Sequence, residues 1–130
     1  MIYVADTHAF VLWLSDRRIG RDATRVFERA AQGIDGIILP TIALFEIASL
    51  IERGKFQPPL PWRHWLQALG NTPGLTVEPL HLEDVSIAHG LANLIDPFDR
   101  MIAATALRFE CPLLTKDERI ASSRVVPVVW

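Results

Sequence analysis

The sequence predicts an α/β fold, a three-layer α/β/α sandwich around a central parallel sheet, with residues 1–130 forming a single domain. Two observations predict it. Apolar runs of strand length, "IYVA", "GIILP", "LTVEPL", "CPLLT" and "VVPVV", alternate with segments of helical periodicity, and that alternation is the pattern of a parallel sheet covered on both faces. The chain has 130 residues, half of them hydrophobic, which suits one sizeable core rather than two domains or a disordered chain.

"IYVA" is a short apolar strand that runs into Asp6, and "THAFVLWL" behind it has helical spacing with Thr7 near its start. A second helix covers "RDATRVFERAAQ" and ends near Gly33. "GIILP" is a buried strand closed by Pro40, after which Thr41 is expected to cap "IALFEIASLIERG" up to Gly54. A proline-rich connection, "KFQPPLPW", leads to a helix through "RHWLQALG" and a strand in "LTVEPL". Two helices follow, one in "LEDVSIAHGLAN" and one beginning at Pro97. "CPLLT" is a strand, "KDERIA" a short helical turn, and "VVPVV" a last extended segment at a sheet edge, where Pro127 is tolerated.

Composition narrows the function. The start, "MIYVADTHAF", lacks a basic region and carries Asp6 in its apolar stretch, so it reads as neither signal peptide nor anchor. "IILPTIALFEIASLI" is broken by Pro40 and Glu46 and is too short to span a bilayer. A lone cysteine, Cys111, excludes an internal disulfide framework, fits a reducing cytoplasm and is expected to pack in the core. The net charge of -2 offers no general basic footprint for nucleic acid. Arg17, Arg18, Arg21 and Arg25 read as a solvated helix face.

Within "IDPFDRMIAATAL", Asp96 before Pro97 reads as a helix N-cap with Arg100 as its surface partner. Asp99 is different, because it shares a helix face with Ile102, Ala103 and Ala106. A carboxylate at the head of an apolar stripe is costly unless it finds a cation or donors. Glu46 interrupts the apolar helix "IALFEIASL", while Asp6 and Asp117 each lie just past the carboxyl end of a strand, where open α/β sheets place their functional crevice. Taken singly, Asp6 and Asp117 are readable as helix caps and Glu46 as a buried acid paired to an arginine. If the four converge they demand a cation, since two unit charges about 4 Å apart repel by roughly 4 kcal/mol at an effective dielectric near 20. Oxygen ligands select a hard ion, Mg²⁺ or Mn²⁺, suited to phosphodiester hydrolysis. Thr7 and Thr115 adjoin the acids, either to orient carboxylates or water or simply to cap backbone.

"YVADTHAF", "EIASLIERGKF", "DPFDRMIAATAL" and "LLTKDERI", in this order and spacing, resemble a PIN domain, specifically the VapC-type toxin ribonucleases of toxin–antitoxin pairs. The resemblance covers nearly the whole chain, and its most specific element is the Asp-x-x-Ile-Ala-Ala-x-Ala pattern that starts at Asp99. It implies a parallel-sheet α/β/α sandwich, a cytoplasmic protein, and a catalytic quartet of Asp6, Glu46, Asp99 and Asp117 around Mg²⁺ or Mn²⁺ that cleaves RNA. Asp96, Thr7 and Thr115 are secondary candidates. A VapB-type antitoxin and a second copy of the chain are the expected protein partners, with Trp62 and Trp65 either lining a groove for one of them or packing in the core. His8 stands where a small or hydroxyl residue is common in the family and receives no role. A receiver domain lacks its middle-strand phosphoacceptor in "GIILPT", and a haloacid-dehalogenase phosphatase would want an aspartate where His8 stands. The alternative from another class is a non-catalytic PIN-like module that binds RNA or protein.

Overall fold

In the computed structural model, which describes residues 1–130, the elements follow one another as β1 (Ile2–Ala5), α1 (Thr7–Leu14), α2 (Arg21–Ala31), β2 (Gly36–Pro40), α3 (Thr41–Glu52), α4 (Trp62–Gly70), β3 (Leu75–Glu78), α5 (Leu82–His89), α6 (Pro97–Arg108), β4 (Leu113–Leu114), α7 (Glu118–Ser123) and β5 (Val128–Val129). Successive strand residues point to opposite faces, so a strand whose adjacent residues are both buried is covered on both sides. Val4 and Ala5 of β1, and Leu113 and Leu114 of β4, are each 0 % exposed. The expected sandwich is therefore what the chain forms, around a core cluster that includes Cys111 and Trp65. No helix is long and apolar enough to cross a membrane.

The five strands are all parallel, in the order β3-β2-β1-β4-β5. The chain steps outward from β1 through β2 to β3, then returns to the other side of β1 for β4 and β5. Strand order thus reverses between β1 and β4, and the crevice beyond their carboxyl ends is the position where such sheets bind ligands. β3 and β5 are the edges. Pro127 precedes β5 and contributes its carbonyl, which accepts from the Leu113 N–H at 2.9 Å, so the amide hydrogen it lacks is not needed on that side.

Several local expectations shift. Thr41 is the first residue of α3 and makes no cap; Pro40 holds the N-cap position without a side-chain bond. α5 stops at His89, with Gly90 as its C-cap in right-handed backbone, short of the expected "GLAN". β4 pairs over only two residues, less than "CPLLT" suggested. Arg21 and Arg25 are exposed on α2 beside Asp22, whereas Arg17 and Arg18 lie beyond the end of α1.

The far end of α6 is fixed by a buried ionic knot. Arg108 Nε donates to Asp84 Oδ1 at 2.7 Å, and its Nη2 donates to Glu78 Oε1 at 2.9 Å and Asp84 Oδ2 at 3.2 Å. Asp84, 0 % exposed, also accepts the His81 N–H at 2.8 Å in the capping box of α5. One guanidinium so ties β3, α5 and α6 together, and its fork geometry satisfies the acids it buries. Removing one partner of such a knot leaves the other charged and buried, so Asp84→Ala should lower the unfolding free energy by about 3–5 kcal/mol in urea titration. A loss under about 1 kcal/mol, the size expected of a surface pair, would refute the role given to this knot.

Candidate active site

Each sequence-singled acid is delivered by a different piece of local structure. Asp6 follows β1 and caps α1, its Oδ1 accepting from the Ala9 N–H at 2.7 Å. It is 7 % exposed, and burial pushes its pKa up against the opposing pull of the Thr115 hydroxyl and the Ala9 N–H. Glu46 projects from α3 and accepts from the Thr7 hydroxyl at 2.6 Å. Burial raises its pKa too; the Thr7 bond and His8 oppose this, and Asp96 and Asp6 add to it. Its partner is thus a hydroxyl from α1 and not the arginine that a purely structural role required.

Asp99 sits in the first turn of α6, half-buried, with its pKa pushed up to about 6 by desolvation and then by Asp96, Asp117 and Glu46. Asp96 is the N-cap, accepting from the N–H groups of Phe98 at 2.8 Å and Asp99 at 3.2 Å. Its expected partner Arg100 goes elsewhere, donating through Nε to the Leu94 carbonyl. Asp117 caps α7, and the Arg119 guanidinium lowers its pKa from the ordinary value. Thr115 Oγ1 accepts from the Asp117 N–H at 3.0 Å, so Thr115 caps backbone as well as acting on the Asp6 carboxylate, while the Thr7 hydroxyl orients Glu46.

These side chains face one pocket of about 360 Å³ lined by Asp6, His8, Glu46, Asp96, Asp99, Lys116, Asp117 and Arg119, without a single apolar residue. It lies at the reversal of strand order, since Asp6 follows β1 and Asp117 follows β4. The structure therefore brings all four acids together, and with them Asp96, a secondary candidate expected chiefly to cap the helix. His8, Lys116 and Arg119 are lining residues the acids-first reading did not single out; their adjacency to Asp6 and Asp117 in the chain was the available signal.

The donor chemistry suits a hard divalent cation, because carboxylate oxygens dominate the lining and their repulsion adds to the desolvation that raises the Asp99 pKa. The acids are not closed on one point. No three of them form a ready-made ion-holding group, and Asp6, Glu46 and Asp117 are each drawn to a separate protein donor.

A separate, mostly apolar cavity of about 320 Å³ is lined by Phe10, Trp13, Phe27, Leu60, Trp65 and Leu75 among others, and holds no carboxylate. Trp65 is buried at 2 % exposure while Trp62 stays 38 % exposed against it, rings 5.9 Å apart. Trp65 is thus both core and cavity wall.

Residues 3–125 match a family model described as PIN domain. The chain is 32 % identical over 123 residues to Ribonuclease VapC22 of Mycobacterium tuberculosis, covering 92 % of this chain and 89 % of that one. Among solved structures, VapBC2 from Rickettsia felis, bound to a DNA fragment from its promoter, superposes with a TM-score of 0.71 at 16 % identity, covering 99 % of this chain and 98 % of that one. A toxin–antitoxin complex from Klebsiella pneumoniae gives 0.66 at 17 % identity, with 98 % and 96 % covered. At those identities the likeness is one of fold.

The raised pKa of Asp99 has a sign. The folded protein holds that proton more tightly than the unfolded chain, so the contribution to stability is complete below the ordinary value of 3.8 and is lost as pH rises through about 6. Asp99→Asn removes the loss. In chelator, the variant should exceed wild type by about 1–3 kcal/mol near pH 7, with the gap closing toward about pH 4. Urea denaturation at several pH values reads this directly, and a gap that is constant with pH contradicts the electrostatic origin.

Proposed function

The chain belongs to the PIN domain family, and from that premise we propose that it is a metal-dependent endoribonuclease, the toxin of a VapBC-type toxin–antitoxin pair, acting in the cytoplasm as one domain of residues 1–130. The observation that carries this reading is the pocket in which Asp6, Glu46, Asp99 and Asp117, from four separate elements, meet at the carboxyl ends of β1 and β4. The ribonuclease name of a relative 32 % identical supports it.

Asp6, Asp99, Asp117 and Glu46 would hold Mg²⁺ or Mn²⁺. Such an ion supplies charge stabilisation at a phosphoryl oxygen and lowers the pKa of bound water. The chain's own residues do the positioning. Thr7 fixes the direction of Glu46 through its hydroxyl, and Asp96 secures the first turn of α6 so that Asp99 keeps facing the pocket. The Ala9 N–H holds Asp6 in the rotamer that caps α1 at the mouth of the crevice. Burial then keeps Asp99 and Glu46 poorly solvated, the condition under which charge on a nearby group counts most.

The product of a neighbouring short reading frame is the partner this reading requires, and the solved structures of like fold include toxin–antitoxin complexes. Coexpression should yield a stable complex in which ribonuclease activity is suppressed. A neighbour that neither binds nor inhibits removes the antitoxin part and leaves a stand-alone nuclease.

Cleavage itself is tested with purified protein and RNA in Mg²⁺ or Mn²⁺, against chelator. Asp99→Asn should reduce cleavage by at least about a hundredfold, the loss common when a positioned catalytic group is removed. Asp96→Asn should be mild, because asparagine caps a helix about as well as aspartate. RNA retained but uncut by the wild type in either metal would favour the non-catalytic binding module; loss of cleavage in Asp96→Asn but not in Asp99→Asn would reverse the two roles.

A further inference from the structure

Charge at the acidic pocket is unbalanced. Its lining holds five carboxylates, Asp6, Glu46, Asp96, Asp99 and Asp117, against two permanent cations, Lys116 and Arg119. A phosphate of RNA brought there adds further negative charge, so whatever fixed cation the chain offers matters to how the strand is held.

Arg119 is arranged unlike an ordinary surface arginine. Its side chain is 79 % exposed, yet the guanidinium lies on Asp117 as a fork, Nε donating to Oδ1 at 3.2 Å and Nη2 to Oδ2 at 2.8 Å. The backbone N–H of the same residue donates to Asp117 Oδ1 at 2.8 Å, so the helix cap exists without the side chain. Asp99 and Asp96 also lie within electrostatic reach of the guanidinium. An exposed ion pair contributes little to folding, so stability alone does not account for this placement. The fork that matches a carboxylate matches a phosphate equally well, and an exposed guanidinium passes from one to the other with little desolvation.

We propose that Arg119 is a phosphate-binding residue of the pocket: it rests on Asp117 in the free protein and turns its fork to a backbone phosphate when single-stranded RNA is laid across the acids. The proposal rests on the ribonuclease reading above. Lys116, on the same rim, adds a point charge without the fork.

Binding of a fluorescent single-stranded RNA to the Asp99→Asn protein, in which cleavage is suppressed, is measured by anisotropy in Mg²⁺ at stepped salt. For single strands each phosphate contact contributes about -0.7 to the slope of log affinity against log salt. Adding Arg119→Gln should weaken binding roughly tenfold or more and flatten the slope by about one such contact. Arg119→Lys should restore the slope while recovering affinity only in part, because charge is kept and the fork is lost. Arg21→Gln, a charge removed from exposed α2 outside the pocket, should leave both unchanged. If the parent binds RNA and Arg119→Gln alters neither affinity nor slope, or lowers only the melting temperature, Arg119 is a brace for Asp117 and the proposal fails. RNA neither bound nor cut by the wild type overturns the ribonuclease reading, and this proposal with it.

Discussion

Two residues of parallel ladder, Val4 beside Leu113 and Ala5 beside Leu114, join strands from opposite ends of the chain. Because those strands run the same way, their carboxyl ends emerge together, and the acids just beyond them, Asp6 after β1 and Asp117 after β4, are placed at one crevice. Everything else at the pocket is built onto that pairing. β2, on the other side of β1, delivers α3 and with it Glu46, while the return crossover from β3 delivers α6 and Asp99. An antiparallel pairing of β1 with β4 would send the two strand ends to opposite edges of the sheet and leave no crevice to fill.

Gathering acids has an electrostatic cost that the fold distributes unevenly. Asp117 is exposed enough to take a guanidinium and stays strongly acidic. Asp6 takes a backbone N–H and Glu46 a threonine hydroxyl, neither of which overcomes burial. Asp99 has its neighbours' repulsion added to desolvation, which pushes its pKa up to about 6. By contrast Asp84, although wholly buried, is satisfied by Arg108 and an amide, and serves to anchor the opposite end of α6.

Small side chains let α6 carry Asp99 to this place. Ala103, Ala104 and Ala106 are all 0 % exposed, with Ile102 at 1 %, so the helix packs closely in the core beside β1. The spacing that makes "DRMIAATA" a recognisable pattern is thus a packing requirement that ends in a carboxylate. Larger residues on that face would push the helix outward and take Asp99 with it.

The sequence by itself determined the order of strands and helices, the parallel sheet and the identity of the four acids, because apolar periodicity and strand-end position are local signals. It also located Asp96 as an N-cap, since proline after an acid is a local instruction. Tertiary structure decided which partner each acid takes. Thr7 reaching Glu46 across 39 residues, Arg100 turning to the Leu94 carbonyl instead of Asp96, and Asp84 meeting Arg108 from 24 residues away depend on helix placement, which no spacing rule encodes. The sharing of one pocket by Asp96, His8, Lys116 and Arg119 was likewise decided by the fold. Hydrophobic pattern is written residue by residue, whereas the pairing of charges is settled only when separate elements are packed against one another.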